Sequence, residues 1–193
     1  MATRREAREW ALQLIFMLDF NSVANADLES LFGDFWKLQV QLFLEKKAED
    51  NPGSGDAAPD PDSPQEKFVG ADILAPPRLR EFSESLARGV WENRNEIDDR
   101  IESYTNNGAN SWPVYRMGAV DRNVLRLAFF EMFYSEETPP VVCINEAIDL
   151  AKYFSNSNSG AFVNGILDHA KRDLTRPERT VAKAPRKRHE RKN

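Results

Sequence analysis

The sequence predicts an all-α protein of about seven helices. Apolar residues recur at i, i+3, i+4 and i+7 in separate segments of the 193-residue chain, which is the spacing of one helix face. No segment shows the strict alternation that a half-buried strand needs. Proline pairs, an asparagine-glycine step and small polar turns divide the segments, and these residues punctuate helices. The hydrophobic share is 41%, with four Trp and twelve Phe, so the chain as a whole has material for a packed core.

The first helix is expected from Thr3 to Phe20. Thr3 can cap it, and Glu6 completes a capping-box pattern. Ala7, Trp10, Ala11, Leu14, Ile15 and Leu18 form its core stripe. Leu12 and Phe16 lie partly off that stripe, so they either cover a neighbouring helix or belong to a partner surface. Asp27 caps a second helix, to about Lys47, with Leu28, Leu31, Phe32, Phe35, Leu38 and Leu42 on one face. Residues 48–76 then turn acidic and rich in Pro, Gly and Ser. Such a composition buries too little apolar surface to offset its ordering entropy. It reads as a flexible insertion, with Phe68, Val69, Ile73 and Leu74 as its possible contacts to the body.

A third helix starts near Pro77, a favoured first-turn residue, with Leu79, Phe82, Leu86 and Val90 as its stripe. Gly89 inside it costs roughly 1 kcal/mol relative to Ala, which signals close packing or the approach of a ligand. Asn95 is expected to cap a fourth helix, with Ile97, Ile101 and Tyr104 facing inwards, which stops at Asn106-Asn107-Gly108. Trp112 and Pro113 lead to a fifth helix, Gly118 to Tyr134, with Val120, Val124, Leu127, Ala128 and Met132 inside. After Thr138-Pro139-Pro140 a sixth runs from Val142 to Phe154 and buries Ile144, Ala147, Ile148 and Ala151. A polar turn, Ser155 to Gly160, precedes a seventh helix that runs to about Lys171 and buries Phe162, Val163, Ile166 and Leu167.

Charge is strongly segregated. The segment 175–193 carries Arg176, Arg179, Lys183, Arg186, Lys187, Arg188, Arg191 and Lys192 against Glu178 and Glu190, a formal +6 in a chain of net −5. The remainder is therefore at −11, and the distribution says more about partners than the total does. The tail reads as disordered. It either adds sequence-independent attraction to nucleic acid or serves as a solubilising tail. No run approaches the ~20 apolar residues of a membrane span, because Asp121, Arg122, Arg126 and Glu131 break the richest one. Glu6 and Glu9 sit among Arg4, Arg5 and Arg8 and no apolar signal core follows, so secretion is not expected. The single cysteine, Cys143, excludes an internal disulfide and fits a reducing cytoplasm.

Groups suited to catalysis are sparse. Cys143 sits in an apolar run and reads as an inert buried thiol. His169 and His189 are far apart, and no Cys/His pair has metal-ligand spacing. No glycine-rich phosphate cradle is present. Glu146 reads as a first-turn acid of the sixth helix, and Asp149 as part of a solvated face. No catalytic residue, metal or cofactor is expected. Arg4, Arg5 and Arg8 differ from these, since cations at a helix N-terminus oppose its dipole. They are either phosphate contacts or an ordinary solvated cluster.

Four motifs, in order and spacing, resemble the family of bacterial antitermination factors called NusB. They are Arg4-Arg5-x-Ala7-Arg8-Glu9-x-Ala11-Leu12-Gln13, Val120 to Ala128, Ile144 to Lys152, and Phe162 to Asp168. The resemblance implies two packed helical sub-bundles, here within residues 1–174. It implies binding of boxA RNA, a short single-stranded element of nascent ribosomal transcripts. It also implies pairing with NusE, a small-subunit ribosomal protein, in a complex on RNA polymerase that suppresses premature termination. Position by position it places Arg4, Arg5, Arg8, Gly89, Ser159 and Phe162 at the RNA, with the amide of Asn158 in the same turn. The alternative is a homodimeric interaction module with its RNA surface hidden. A fragment of an RNA cytosine methyltransferase, which carries a related helical domain, has little support.

Overall fold

The computed structural model describes residues 3–21, 28–50, 74–105, 113–135 and 138–174, with residues 47 and 48 as backbone only. Asp27, most of the acidic segment 48–76 with Phe68, Val69 and Ile73, the Asn106-Asn107-Gly108 step, Trp112 and the basic tail lie outside the described residues. Among the described residues there are seven α-helices and no strand. They are α1 (Arg4–Phe20), α2 (Leu28–Asp50), α3 (Pro77–Glu92), α4 (Arg94–Thr105), α5 (Ala119–Phe133), α6 (Pro140–Phe154) and α7 (Ser159–Ala170). Single 3-10 turns occupy Val114–Arg116 and Lys171–Asp173. The expected pair of sub-bundles corresponds to two compact units, Met1–Glu92 with α1 to α3 and Asn93–Asn193 with α4 to α7.

In the first unit, the capping box predicted for α1 is formed. Glu6 N–H donates to Thr3 Oγ1 at 3.3 Å, and Thr3 N–H donates to the Glu6 carboxylate at 2.7 Å, satisfying two donors that a helix start leaves open. The whole stripe from Ala7 to Leu18 is buried, and α1 packs on α3. Leu12 joins the core, whereas Phe16 stays 39% exposed and stacks on the exposed Phe20. Gly89 is buried within α3, as close packing requires.

The stripe of α2 departs from expectation. Phe32 and Phe35 are buried, but Leu38 and Leu42 are half exposed, and Trp36 is buried in their stead. After Trp36 no described residue of α2 is buried. The helix also runs past Lys47 to Asp50, through Lys, Ala and Glu residues of good intrinsic helix propensity.

In the second unit, α5 is buried at every position from Asn123 to Phe129 and packs on α4, α6 and α7. A helix buried all round is a central one. The cost of burying its polar residues is met by pairing. Arg126 donates to both carboxylate oxygens of Asp98 at 2.7 Å and to Asn123 Oδ1 at 2.9 Å. Thr138 donates to the buried Glu131 at 3.1 Å.

Several helix starts are shifted from those expected. Asn95 does not cap α4; the chain turns at Asn93, whose carbonyl accepts from Ile97 N–H, and Asn95 lies exposed in the first turn. Helix α6 begins at Pro140, since proline needs no N–H partner there and Pro139 carbonyl accepts from Val142 and Cys143. Glu146 is therefore not a first-turn acid. It is half-buried, with Oε2 unpartnered among the described residues, and Asp149 is half-buried instead of solvated. Ile148 and Val120 are half-buried, and Leu150 takes a core place. In α7 the buried face is Ser159, Gly160, Val163, Ile166, Leu167 and Ala170. Phe162 falls one position off this face and is 37% exposed, not core.

Two tyrosines of this unit make its stability sensitive to alkali. Burial, a 2.5 Å hydrogen bond donated to Asp173 and the charge of that carboxylate push the Tyr104 phenol from 10.0 up to about 12. Burial and the neighbouring Glu96 carboxylate push Tyr134 from 10.0 up to about 12. A folded pKa above the unfolded one favours the fold fully below the unfolded value, and this advantage is lost as pH rises through the folded value. Stability should therefore fall between pH 10 and about 12. The slope should be shallower in a Tyr104→Phe, Tyr134→Phe double variant. Denaturant titrations followed by circular dichroism across that range check this, and equal slopes in the two proteins would acquit the tyrosines.

Candidate nucleic-acid interface

The N-terminal edge of the first unit gathers cations. Arg4 and Arg5 are exposed, whereas Arg8 is only 3% exposed. Arg8 Nη1 donates to the Arg4 carbonyl at 3.3 Å. Both guanidiniums lie over one ring, that of Phe82 in α3, with their carbons 5.0 Å (Arg4) and 5.5 Å (Arg8) from its centroid. Arg5 approaches Glu9 at 3.9 Å with half of its side chain exposed, a loose pair of little energetic weight. Gly89 lies seven residues from Phe82, and thus on the same helix face. The structure brings Arg4 and Arg8 together on Phe82, with Gly89 two turns along the helix that supplies the ring. The sequence pattern puts Phe82 in the core stripe of α3 and carries no sign of its contact with the arginines. No local signal links residues this far apart in the chain.

The polar turn of the second unit is built differently. Ser159 is buried, and its Oγ lies 3.0 Å from Asp121 Oδ2 and 2.9 Å from Ser155 Oγ while accepting from Asn156 N–H at 3.4 Å. Its hydroxyl thus ties the turn to α5. Asn158 and Phe162 are exposed beside it, and Asn158 N–H donates to Asn156 Oδ1 at 2.9 Å. Gly160 has a steric role. A Cβ there would meet Lys152 Cγ at 2.9 Å and Cε at 3.0 Å, so the Lys152 stem lies across the glycine while the residue stays exposed. The turn therefore presents a neutral amide, a half-exposed ring and a nearby lysine.

Such groups suit single-stranded nucleic acid, with cations for phosphates and exposed rings for bases. Among the described residues nucleophilic chemistry finds no comparable arrangement. Cys143 is 1% exposed and its thiol donates to the Pro139 carbonyl at 3.4 Å. Among the described residues no cluster of three or more His, Cys, Asp or Glu can hold a metal ion, and no helix is long and apolar enough to cross a membrane.

Known proteins resemble this chain over most of its length. The model of the NusB family matches residues 62–172. The transcription antitermination protein NusB of Desulfatibacillum aliphaticivorans is 36% identical over 184 residues, 95% of this chain and 99% of that protein. That of Geotalea daltonii is 39% identical over 168 residues, 87% of this chain and 93% of that one. Among solved structures, T. maritima NusB superposes with a TM-score of 0.61 at 28% identity, covering 89% of this chain and 92% of that chain. A chain from the crystal structure of the antitermination factors NusB and NusE in complex with dsRNA matches with a TM-score of 0.56 at 20% identity, over 88% and 96% of the two chains. That likeness is one of fold.

Proposed function

The chain belongs to the NusB family, and on that premise we propose that it is an RNA-binding transcription antitermination factor. It binds boxA RNA of nascent ribosomal transcripts in the cytoplasm, together with NusE, and acts within a complex on RNA polymerase to suppress premature termination. Relatives named for antitermination, and a fold shared with a chain crystallised with NusE and RNA, support this reading.

The observation that carries it is the arginine edge of α1. Three arginines occupy the first turns of the helix with no basic residue in its last turn, the reverse of what the helix dipole favours. Helix stability does not explain them; phosphate does. Arg4 and Arg5 are the exposed contacts, and buried Arg8 supports them through the Arg4 carbonyl. In the second unit Phe162 offers its exposed ring to a base. Ser159 holds the turn that presents it, and the neutral Asn158 repels phosphate less than an acid would. Gly89, buried on the Phe82 side of α3, serves this edge through the packing of the helix and not as an exposed contact.

An Arg4→Ala, Arg5→Ala variant is expected to bind boxA RNA at least about tenfold more weakly, as two charge-assisted contacts are lost. Each lost phosphate contact should also reduce the slope of log affinity against log salt by about 0.7. Filter-binding titrations with boxA RNA, a scrambled RNA and purified NusE check this. No preference for boxA, with or without NusE, would reject the function. Light scattering of the same mixtures would then show whether a homodimer hides the RNA surface.

A further inference from the structure

Among the described residues of the first unit, Arg4, Arg8, Arg80 and Arg88 lie over aromatic rings, and they differ in what else holds them. Arg80 sits 5.4 Å from the Trp36 centroid and Arg88 sits 5.4 Å from that of Phe32. Each is also paired with a carboxylate, Arg80 with Glu84 at 3.0 Å and Arg88 with Glu29 at 2.6 Å. Their charge is largely neutralised, and they tie helices together. Arg8 lies over Phe82 but is buried. Arg4 is the exposed one, and no carboxylate of the described residues lies within ion-pair distance of it. A ring attracts a cation through its quadrupole without cancelling the charge or occupying its N–H groups as an acceptor would. Phe82 therefore holds the Arg4 side chain in place and leaves it competent to bind an anion.

Resting on the RNA-binding reading above, we propose that Phe82 is a positioning residue of the RNA surface. Its ring fixes the Arg4 guanidinium in readiness for a backbone phosphate of single-stranded RNA. Arginine is long and flexible, and immobilising it at the moment of binding lowers affinity. Here the ring orders it when the protein folds. The buried Arg8 on the same ring, bonded to the Arg4 carbonyl, fixes the backbone from which Arg4 projects.

The test is a variant cycle read by titration of a boxA-containing single-stranded RNA at several salt concentrations. Phe82→Leu should weaken binding about two- to tenfold, Phe82→Tyr should restore wild-type affinity, and Phe82→Leu should add little in an Arg4→Ala background. Thermal melting monitors the fold of each variant. Phe82→Met keeps the volume without the ring and should lose the same affinity, so the question stays open to test even when the leucine variant unfolds. Wild-type affinity in folded Phe82→Leu and Phe82→Met, while Arg4→Ala is weakened, would overturn the proposal and leave the RNA-binding reading standing. So would effects of Phe82→Leu and Arg4→Ala that simply multiply. Wild-type protein that ignores the RNA would overturn both.

Discussion

Asp98→Ala is expected to cost about 3–5 kcal/mol of folding stability, the range for removing one partner of a buried ion pair. The asymmetry of the Asp98–Arg126 pair selects the aspartate as the sensitive side. The Arg126 side chain is 7% exposed and that of Asp98 is 24% exposed, with N···O at 2.7 Å. Deleting Asp98 leaves a guanidinium inside the α5 core without its bidentate carboxylate. Deleting Arg126 leaves a carboxylate that water already reaches. Arg126→Met, which also keeps much of the buried stem, should therefore cost less than Asp98→Ala. Denaturant midpoints at unchanged m-value measure both. A loss below about 1 kcal/mol for Asp98→Ala, the scale of an exposed pair, would show that the pair is solvated and α5 is not organised around it.

Trp36→Ala should destabilise the first unit by a similar amount, about 3–5 kcal/mol, the usual cost of truncating a buried aromatic to Ala. The indole is 2% exposed and meets Trp10 edge-on at 5.4 Å and Phe35 at 5.1 Å. Its N–H donates to Glu84 at 2.6 Å, and the same carboxylate oxygen accepts from Arg80 at 3.0 Å. Truncation removes the packing and one partner of that carboxylate together. Trp36→Phe keeps most of the packing and deletes the donor, so its cost should fall to about 1–2 kcal/mol. Urea titration of the two variants separates the contributions. Equal losses would assign the whole effect to the hydrogen bond.

What could be read in the sequence was what local spacing encodes. The stripe Ala7 to Leu18, the Thr3–Glu6 capping box and the inner positions Val124, Leu127, Ala128 and Met132 of α5 follow from residues within a few positions of one another, and each is found. The apolar spacing of α2 continues to Leu42 whether or not a neighbouring helix is there to cover it, so where its burial ends is not legible locally. Prolines read as breakers, so the spacing starts α6 at Val142, whereas Pro140 opens the helix two residues earlier. The spacing buries Phe162 with Val163, while the family resemblance sets it at the RNA; the face that packs is Ser159, Gly160 and Val163, and Phe162 lies off it. The arginines were visible as a group that no helix rule explains. The burial of Arg8 beside exposed Arg4 and Arg5, and the Phe82 ring on a different helix over which Arg4 and Arg8 both lie, carry no local signal. The partner of Arg126, 28 residues away on α4, was equally invisible.

The edge-to-face pair of Trp10 and Trp36 has an optical consequence. Two indoles 5.4 Å apart couple their electronic transitions, so the circular dichroism should carry a band belonging to the crossing of α1 with α2. Trp91 lies in the same unit, while all four tyrosines, Tyr104, Tyr115, Tyr134 and Tyr153, lie in the other, along with Trp112. Phenol absorbance therefore reports on one half of the chain and the coupled indole band on the other. The phenols belong to one half and the coupled indole pair to the other, so the melting of each can be watched without attaching a label.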